Sequence, residues 1–402
     1  MLYNALIVAT DSFPARADAR RQLGIPARRT DGAVRAVRLE RVPAGPARVL
    51  VELMTAAGGC AQAAADRRRG DRIVLLQGDA DHYHRFLEST SRRPATRDAA
   101  GEVRDVLMRA TTRPRALALA RGRLPLGQRT LIMGILNVTP DSFSDGGLYT
   151  GPDRAAEHAL EMARAGADLI DIGGESTRPG AVPVPLKEEL RRVIPALEAV
   201  VSAIAALPLR RPLLSVDTRK AEVARRAAAA GADLINDISG LTHDPAMAAV
   251  VAESGLPVVI QHIRGTPRTM QRSRRYAHLL PEIAAFLRSR IETIVRAGVR
   301  EDKIVVDPGI GFGKRRRDNL AILRNLRVLT SLGRPILVGA SRKAFLKGEG
   351  ATPPSDRLEA SLAAEALAIA GGADIIRVHD VREAARVALL CDAVLRDPVA
   401  GR

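Results

Sequence analysis

One short junction occurs three times in this chain: Gly166-Ala-Asp-Leu-Ile170, Gly231-Ala-Asp-Leu-Ile235 and Gly372-Ala-Asp-Ile-Ile376. Each copy follows an Ala-rich amphipathic run. Glycine suits the left-handed residue that ends a helix, and the apolar pair after it opens a strand. The junctions lie 65 and 141 residues apart, near two and four units of roughly 30–35 residues, the size of a βα repeat. A chain built this way must stack helices on parallel strands.

Eight strands can be placed on that spacing: Leu131–Asn137, Asp168–Gly173, Pro212–Asp217, Asp233–Asp237, Pro257–His262, Lys303–Asp307, Pro335–Gly339 and Asp374–His379. Eight βα units over residues 129–397 predict an α/β fold of the (β/α)8 TIM-barrel type. An open doubly wound sheet is the alternative. It more often carries a Gly-rich dinucleotide turn after its first strand, and none is present.

Ahead of the barrel, Ala5–Ala9 reads as a strand and Arg48–Met54 as a strand-to-helix element. Asp71–Gln77 reads as a strand ending at Gly78. Together they predict a smaller N-terminal α/β domain over residues 1–90. Residues 91–128, rich in Arg, Ala and Pro, read as a connector with a helix over Ala99–Ala110. Asp81-His-Tyr-His84 is a weak metal motif, because two His at i, i+2 lack a nearby third ligand.

Charge and composition narrow the function. The net charge is +17, and residues 1–128 hold 23 Arg against 13 acidic residues. Nucleic-acid binding is one reading of this. The Arg residues are scattered, however, and aromatics to stack on bases make up only 2% of the chain. Nucleic acid is therefore not expected as the main partner. No apolar run reaches the length of a membrane span, and the N-terminus looks like a first strand, not a signal peptide. Two cysteines, Cys60 and Cys391, suit a reducing cytoplasm.

Polar residues gather at the C-terminal ends of the expected strands: Asn137, Glu175–Gly180, Asp217, Asn236, Gln261-His262, Asp307 and Arg377–His379, with Ser341-Arg-Lys343 after Gly339. In a barrel these ends converge on one mouth. Asp217, Asn236, Asp307 and Lys343 offer acceptors and donors suited to a flat hydrogen-bonding heterocycle. Arg178, Arg377, a protonated His379 and Asn137 suit an anion such as phosphate. No Ser–His–Asp order or Cys nucleophile stands out, so positioning and electrostatics must carry a transfer with an anionic leaving group.

The stretch Asn137-Val-Thr-Pro-Asp-Ser-Phe-Ser-Asp145 resembles the signature of dihydropteroate synthases. The resemblance runs over about residues 130–395. It includes Glu175-Ser-Thr-Arg-Pro-Gly-Ala181, Ser215-Val-Asp-Thr218, Ile235-Asn-Asp237 and Gly265-Thr-Pro-Arg-Thr-Met-Gln271. Asp307-Pro-Gly-Ile-Gly-Phe-Gly-Lys314, Gly339-Ala-Ser-Arg-Lys343 and Arg377-Val-His-Asp380 complete it. The region before residue 130 is similar, more loosely, to the N-terminal extension of long-form bacterial members.

The resemblance implies a transferase of folate biosynthesis and a target of sulfonamides. It implies that Asp217, Asn236, Asp307 and Lys343 hold the pterin, with Arg377 over its face and Phe312 nearby. Asn137, Arg178, Arg377 and His379 would hold diphosphate, with Mg2+ bridging its oxygens and Asn137 as its ligand. Thr177, Arg178, Pro179, Ser341 and Phe143 would position 4-aminobenzoate. Phe143 and Asp145 would ride on a loop that closes over the reaction. A homodimer through late barrel helices is implied as well.

Two departures stand out: Gln261-His262 replaces the family's usual Met-His, and Arg315-Arg-Arg317 is more basic than expected. A methyltransferase using the same kind of pterin-binding barrel is the nearest rival. It would keep Asp217, Asn236 and Asp307 but has no need for the diphosphate ligands.

Overall fold

A computed structural model describes residues 5–9, 35–66, 70–91, 93–111, 114–119, 122–139, 151–207, 211–272, 274–347 and 353–396. The chain divides into two compact units. The first takes Met1–Arg113 with Leu280–Ala285 and Arg324–Gly333; the second takes the remainder.

In the first unit an antiparallel sheet has the order β1 (Leu6–Ala9), β2 (Arg35–Val42), β4 (Arg72–Gly78), β3 (Cys60–Ala65). Helices α1 (Ala44–Ala56), α2 (Ala80–Ser91) and α3 (Arg97–Thr111) accompany it. The core joins Val37, Leu39, Val74 and Leu76 to Leu50, Met54, Phe86, Val103 and Val106. Arg48–Met54 lies wholly within α1, because Leu50, Leu53 and Met54 recur at helical spacing. The Asp81–His84 motif is the first turn of α2. His82 pairs with Asp79 at 2.8 Å and His84 with Glu88 at 3.6 Å. Among the described residues no cluster of three or more His, Cys, Asp or Glu could hold a metal.

The described residues of the segment read as a connector fall into elements of both units. Helix α3 contributes Ala99, Val103 and Val106 to the first core. The hairpin β5 (Ala116–Ala118) and β6 (Arg123–Pro125) belongs to the second.

The second unit is the barrel. Its strands are β7 (Leu131–Asn137), β8 (Leu169–Gly173), β9 (Leu213–Asp217), β10 (Leu234–Asp237), β11 (Val258–Gln261), β12 (Ile304–Asp307), β13 (Leu337–Val338) and β14 (Ile375–Val378). They form one parallel sheet in the order β12-β11-β10-β9-β8-β7-β14-β13. A parallel bridge between Val306 and Ile336 closes it. The helices between strands are α4 (Gly151–Arg164), α5 (Leu186–Ala205), α6 (Ala221–Ala229), α7 (Met247–Ser254), α8 (Leu279–Arg296), α9 (Arg316–Arg324) and α10 (Leu358–Ala370). Helix α11 (Val381–Leu395) follows the last strand. The eight expected strands are all present, with no end moved by more than two residues.

The repeated junction has one geometry in its three copies. Gly166, Gly231 and Gly372 have φ of +103°, +104° and +95°. The following Ala N–H donates back to Met162, Ala227 and Ala368 respectively, at 2.9, 2.9 and 3.0 Å. This is the Schellman helix end. The Asp then binds the neighbouring strand twice. Its N–H donates to Ile132, Leu214 and Ile336 in turn, and its carboxylate accepts the N–H of the same residue at 3.0, 2.9 and 2.8 Å. The junction is a structural device of the barrel's N-terminal face.

Strand alternation then divides the lumen into layers. Leu131, Met133, Leu169, Leu234, Val259, Val305, Leu337 and Ile375 form one buried cluster with Leu117, Leu124 and Leu126 of the β5–β6 region. Two residues further along six of the eight strands, on the same face, the composition turns polar: Asp171, Ser215, Asn236, Gln261, Asp307 and Arg377. An apolar floor supports a polar layer at the C-terminal mouth.

Candidate active site

Asp171 sits at the centre of the polar layer and is fully buried. Its carboxylate accepts from Arg377 Nε at 2.6 Å, Asn236 Nδ2 at 2.9 Å and Ser215 Oγ at 2.5 Å. Arg377 Nη2 donates to Asp217 Oδ2 at 3.0 Å. A buried charge persists where it is paired and hydrogen-bonded. Asp171 thus fixes Arg377 and commits the Asn236 amide nitrogen, which leaves the Asn236 oxygen as an acceptor. Burial pushes the Asp217 carboxyl up, against the pull of Arg377.

Opposite them, Asp307 Oδ1 accepts the Gly309 N–H at 2.6 Å. Lys343 Nζ donates to the Ile310 carbonyl at 2.6 Å and lies 4.7 Å from the centroid of the Phe312 ring. Burial brings the Lys343 ammonium down to about 8, with Asp307 opposing the shift. The turn that aims Lys343 is strained, since Arg342 holds φ +56°. Its N–H donates to Ser361 Oγ at 2.8 Å, its carbonyl accepts from Arg357 at 2.7 Å, and its guanidinium pairs with Asp380. These contacts hold the strain in place.

Nearer the mouth lie the groups suited to an anion. Asn137 at the end of β7 is exposed, as are Arg178 and Pro179, while Thr177 and His379 are half-buried. The His379 N–H donates to Ser341 Oγ at 3.2 Å, and Nδ1 lies 3.2 Å from the same oxygen. Burial, Arg377 and Arg342 bring the His379 imidazole down to about 4. This corrects the expectation of a protonated His379: burial first, and then the cations around it, favour the neutral ring in the free protein. Asp145 and Phe143 lie outside the described residues.

The structure thus brings together Asp217, Asn236, Asp307, Lys343, Arg377 and Phe312 in the interior. It sets Asn137, Arg178, Thr177, Pro179, Ser341 and His379 at or beside the mouth. Asp217 is not a helix cap, since Lys220 holds that position on α6.

Sequence reasoning did not single out the supporting groups. Asp171 and Ser215 were readable from strand alternation, two residues from Gly173 and Asp217 on the same faces. Glu175 accepts from Arg219 and Lys220, each at 2.5 Å. Glu189, almost fully buried, accepts from Thr218 at 2.6 Å and from Lys220. That ion-pair cluster anchors the loop that carries Thr177, Arg178 and Pro179. Gly180 N–H also donates to the Pro267 carbonyl at 3.2 Å. Only the fold shows that these segments meet.

Lys314 is a further buried cation. Its Nζ reaches the carbonyls of Gly309, Phe312 and His262 at 2.9, 3.0 and 3.3 Å, and His262 Nδ1 at 2.9 Å. Burial lowers the ammonium to about 7. The unfolded chain, with an ordinary lysine near 10.5, then binds the proton more tightly. The stability contributed by Lys314 is therefore complete above about pH 10.5 and is lost as pH falls towards 7. Urea unfolding should show wild type gaining on Lys314→Met by up to about 1.4 kcal/mol per pH unit across that window. A difference independent of pH would exclude the shift.

The sequence matches the model of the pterin binding enzymes over residues 133–379. It is 48% identical over 268 residues to the dihydropteroate synthase of Bacillus subtilis, covering 67% of this chain and 90% of that protein. The dihydropteroate synthase of Yersinia pestis, solved with a sulfonamide drug, superposes with TM-score 0.64 at 44% identity. The match covers 69% of this chain and 98% of that one. The Xanthomonas albilineans dihydropteroate synthase in complex with 7,8-dihydropteroate gives 0.62 at 41% identity, over 70% and 100% of the two chains. With the motifs at one barrel mouth and these likenesses over the whole barrel, the chain belongs to the dihydropteroate synthases, with an N-terminal extension ahead of the shared fold.

Proposed function

We propose that the barrel mouth joins (7,8-dihydropterin-6-yl)methyl diphosphate to 4-aminobenzoate, releasing diphosphate and forming 7,8-dihydropteroate. The methylene C–O bond breaks and diphosphate leaves with the electron pair. The arylamine lone pair forms the new C–N bond, and its nitrogen gives up a proton. One arrangement supports this above all: hydrogen-bonding groups for a heterocycle lie one layer below an exposed set of anion-binding groups.

In this reading Asp217 and Asp307 accept N–H groups of the pterin, the Asn236 oxygen accepts another, and Lys343 donates. Phe312 closes the pocket beside Lys343. Arg377 spans both chemistries, since Asp171 and Asp217 hold it between the layers. His379, with Nδ1 turned to Ser341, keeps its other ring nitrogen for a diphosphate oxygen, with Asn137 and Arg178. Anion arrival raises the His379 pKa and strengthens that contact. Thr177, Arg178, Pro179 and Ser341 receive 4-aminobenzoate, and sulfonamides compete with it there. Phe143 and Asp145 complete the mouth as parts of a closing loop.

A Mg2+ ion fits beside Asn137, an exposed neutral oxygen donor that leaves most of the coordination to diphosphate and water. When bound, the ion neutralises charge on the leaving group. Purified protein should release diphosphate only when both substrates and Mg2+ are present. If no condensation product forms under those conditions, the assignment is wrong.

Lys343 sets the falling limb of the pH response; Asp217, which burial also brings to about 8, gains acceptor charge over the same range and sets the rising one. With its ammonium at about 8, kcat/KM for the pterin diphosphate should fall as pH rises through that value. Lys343→Arg, which stays charged, should move the falling limb upward whatever its absolute rate. An unmoved limb would assign the ionisation elsewhere.

We also propose a homodimer. Leu367 on α10 and Leu389, Leu390 and Val394 on α11 are 59–74% exposed, and α10 and α11 pack together. A paired copy would cover that apolar face. Analytical ultracentrifugation should show two copies, and Leu390→Asp should give one. The free cysteines Cys60 and Cys391 support placing the enzyme in the cytoplasm. No described helix is long and apolar enough to cross a membrane.

A further inference from the structure

Gln261 closes β11 in the polar layer, in register with Asp307 of β12. Val259, two residues earlier, faces the lumen in the apolar floor, so Gln261 faces the same lumen. The side chain is 4% exposed. Its Nε2 is buried with no hydrogen-bond partner among the described residues. The stem is held closely: a Cβ on Gly309 would stand 3.2 Å from Gln261 Cγ. A buried amide N–H2 without an acceptor is unfavourable, and a ligand in the lumen can supply the acceptor.

The donors around it are committed. Arg377 serves Asp171 and Asp217, and Asn236 Nδ2 serves Asp171. Lys343 and Gln261 are left to meet the acceptors of a flat ring. A pterin carries such acceptors in its 4-oxo group and ring nitrogens, and Asp217 and Asp307 cannot serve them when ionised.

Resting on the pterin assignment above, we propose that Gln261 is a specificity-determining residue, its Nε2 donating a hydrogen bond to an acceptor on the pterin ring. The family's usual Met has no such donor. This chain therefore reads one more atom of its substrate.

The test uses the full-length enzyme with the pterin diphosphate as probe, comparing wild type, Gln261→Met and Gln261→Leu. Both variants should raise the pterin KM and the directly titrated Kd by roughly tenfold. The KM for 4-aminobenzoate should stay within about twofold of wild type. Thermal stability should hold or rise, since an unpartnered buried polar group is removed. A residue important only for packing would give the reverse, lower stability with unchanged pterin affinity. Wild-type pterin affinity in either folded variant overturns the proposal, as does failure of both to fold. If wild type forms dihydropteroate while Gln261→Met keeps its affinity, only the role of Gln261 falls. If wild type forms none, the substrate assignment itself fails.

Discussion

Asp217→Ala is expected to lower dihydropteroate formation by at least about a hundredfold and to leave the barrel folded. The carboxylate lies in the polar layer beside Arg377, and an amino-pyrimidine edge offers it two N–H groups. Charge-assisted hydrogen bonds contribute about 1.5–3 kcal/mol each, so two lost together correspond to roughly 10²–10⁴ in rate. Arg377 stays in place because Asp171 holds its Nε at 2.6 Å. Removing a carboxylate that burial disfavours costs the fold little. The measurements are kcat/KM for both substrates and a urea titration. Activity within tenfold of wild type would place the pterin elsewhere. Asp217→Asn, which keeps one acceptor oxygen, should fall between the two.

Much of the barrel was legible because its signals are periodic. Three copies of Gly-Ala-Asp mark helix ends, and apolar runs at regular spacing mark strands that a parallel sheet buries on both faces. The mouth was legible for the same reason, since strand ends converge whatever the details. The first unit was harder to read. β3 is Cys-Ala-Gln-Ala-Ala-Ala, a composition that favours helix, and its pairing with β4 overrides that preference. The β5–β6 hairpin is three residues a side in an Arg-rich stretch. Nothing local reveals that Leu117 and Leu124 reach the barrel floor.

Within the site, the groups expected to touch ligand are short-range features of motifs, whereas their supports are not. Asp171 joins residues 65 and 206 positions away through Asn236 and Arg377. The lowered pKa of His379 follows from its burial in the closed barrel and from Arg377 and Arg342, cations on different segments. Such couplings arise from closure of the sheet, and a linear reading treats each residue singly. Gln261 shows a different limit. The sequence marks it as a departure, but only its burial and unpartnered nitrogen indicate what the change does.

The Gly-rich loop after β12 carries the largest expected effect on stability. Gly309 has φ +67°, and a Cβ there would stand 2.0 Å from the His262 carbonyl oxygen. That oxygen cannot swing away freely, because the carbonyl is on the backbone and Lys314 Nζ lies 3.3 Å from it. Gly309→Ala therefore pays the left-handed cost of about 1–2 kcal/mol and must also displace the loop, for a total above about 3 kcal/mol. Gly311 is the control. Its φ is +87°, but its nearest neighbour would be the flexible Lys343 Cδ at 3.1 Å. Gly311→Ala should therefore lose less stability while disturbing Lys343. Urea unfolding should rank wild type above Gly311→Ala above Gly309→Ala. The pterin KM should rise in both, since the loop carries Ile310 and Phe312 against the lysine. A Gly309→Ala protein within about 1 kcal/mol of wild type would mean that the loop does not pack on the His262 carbonyl.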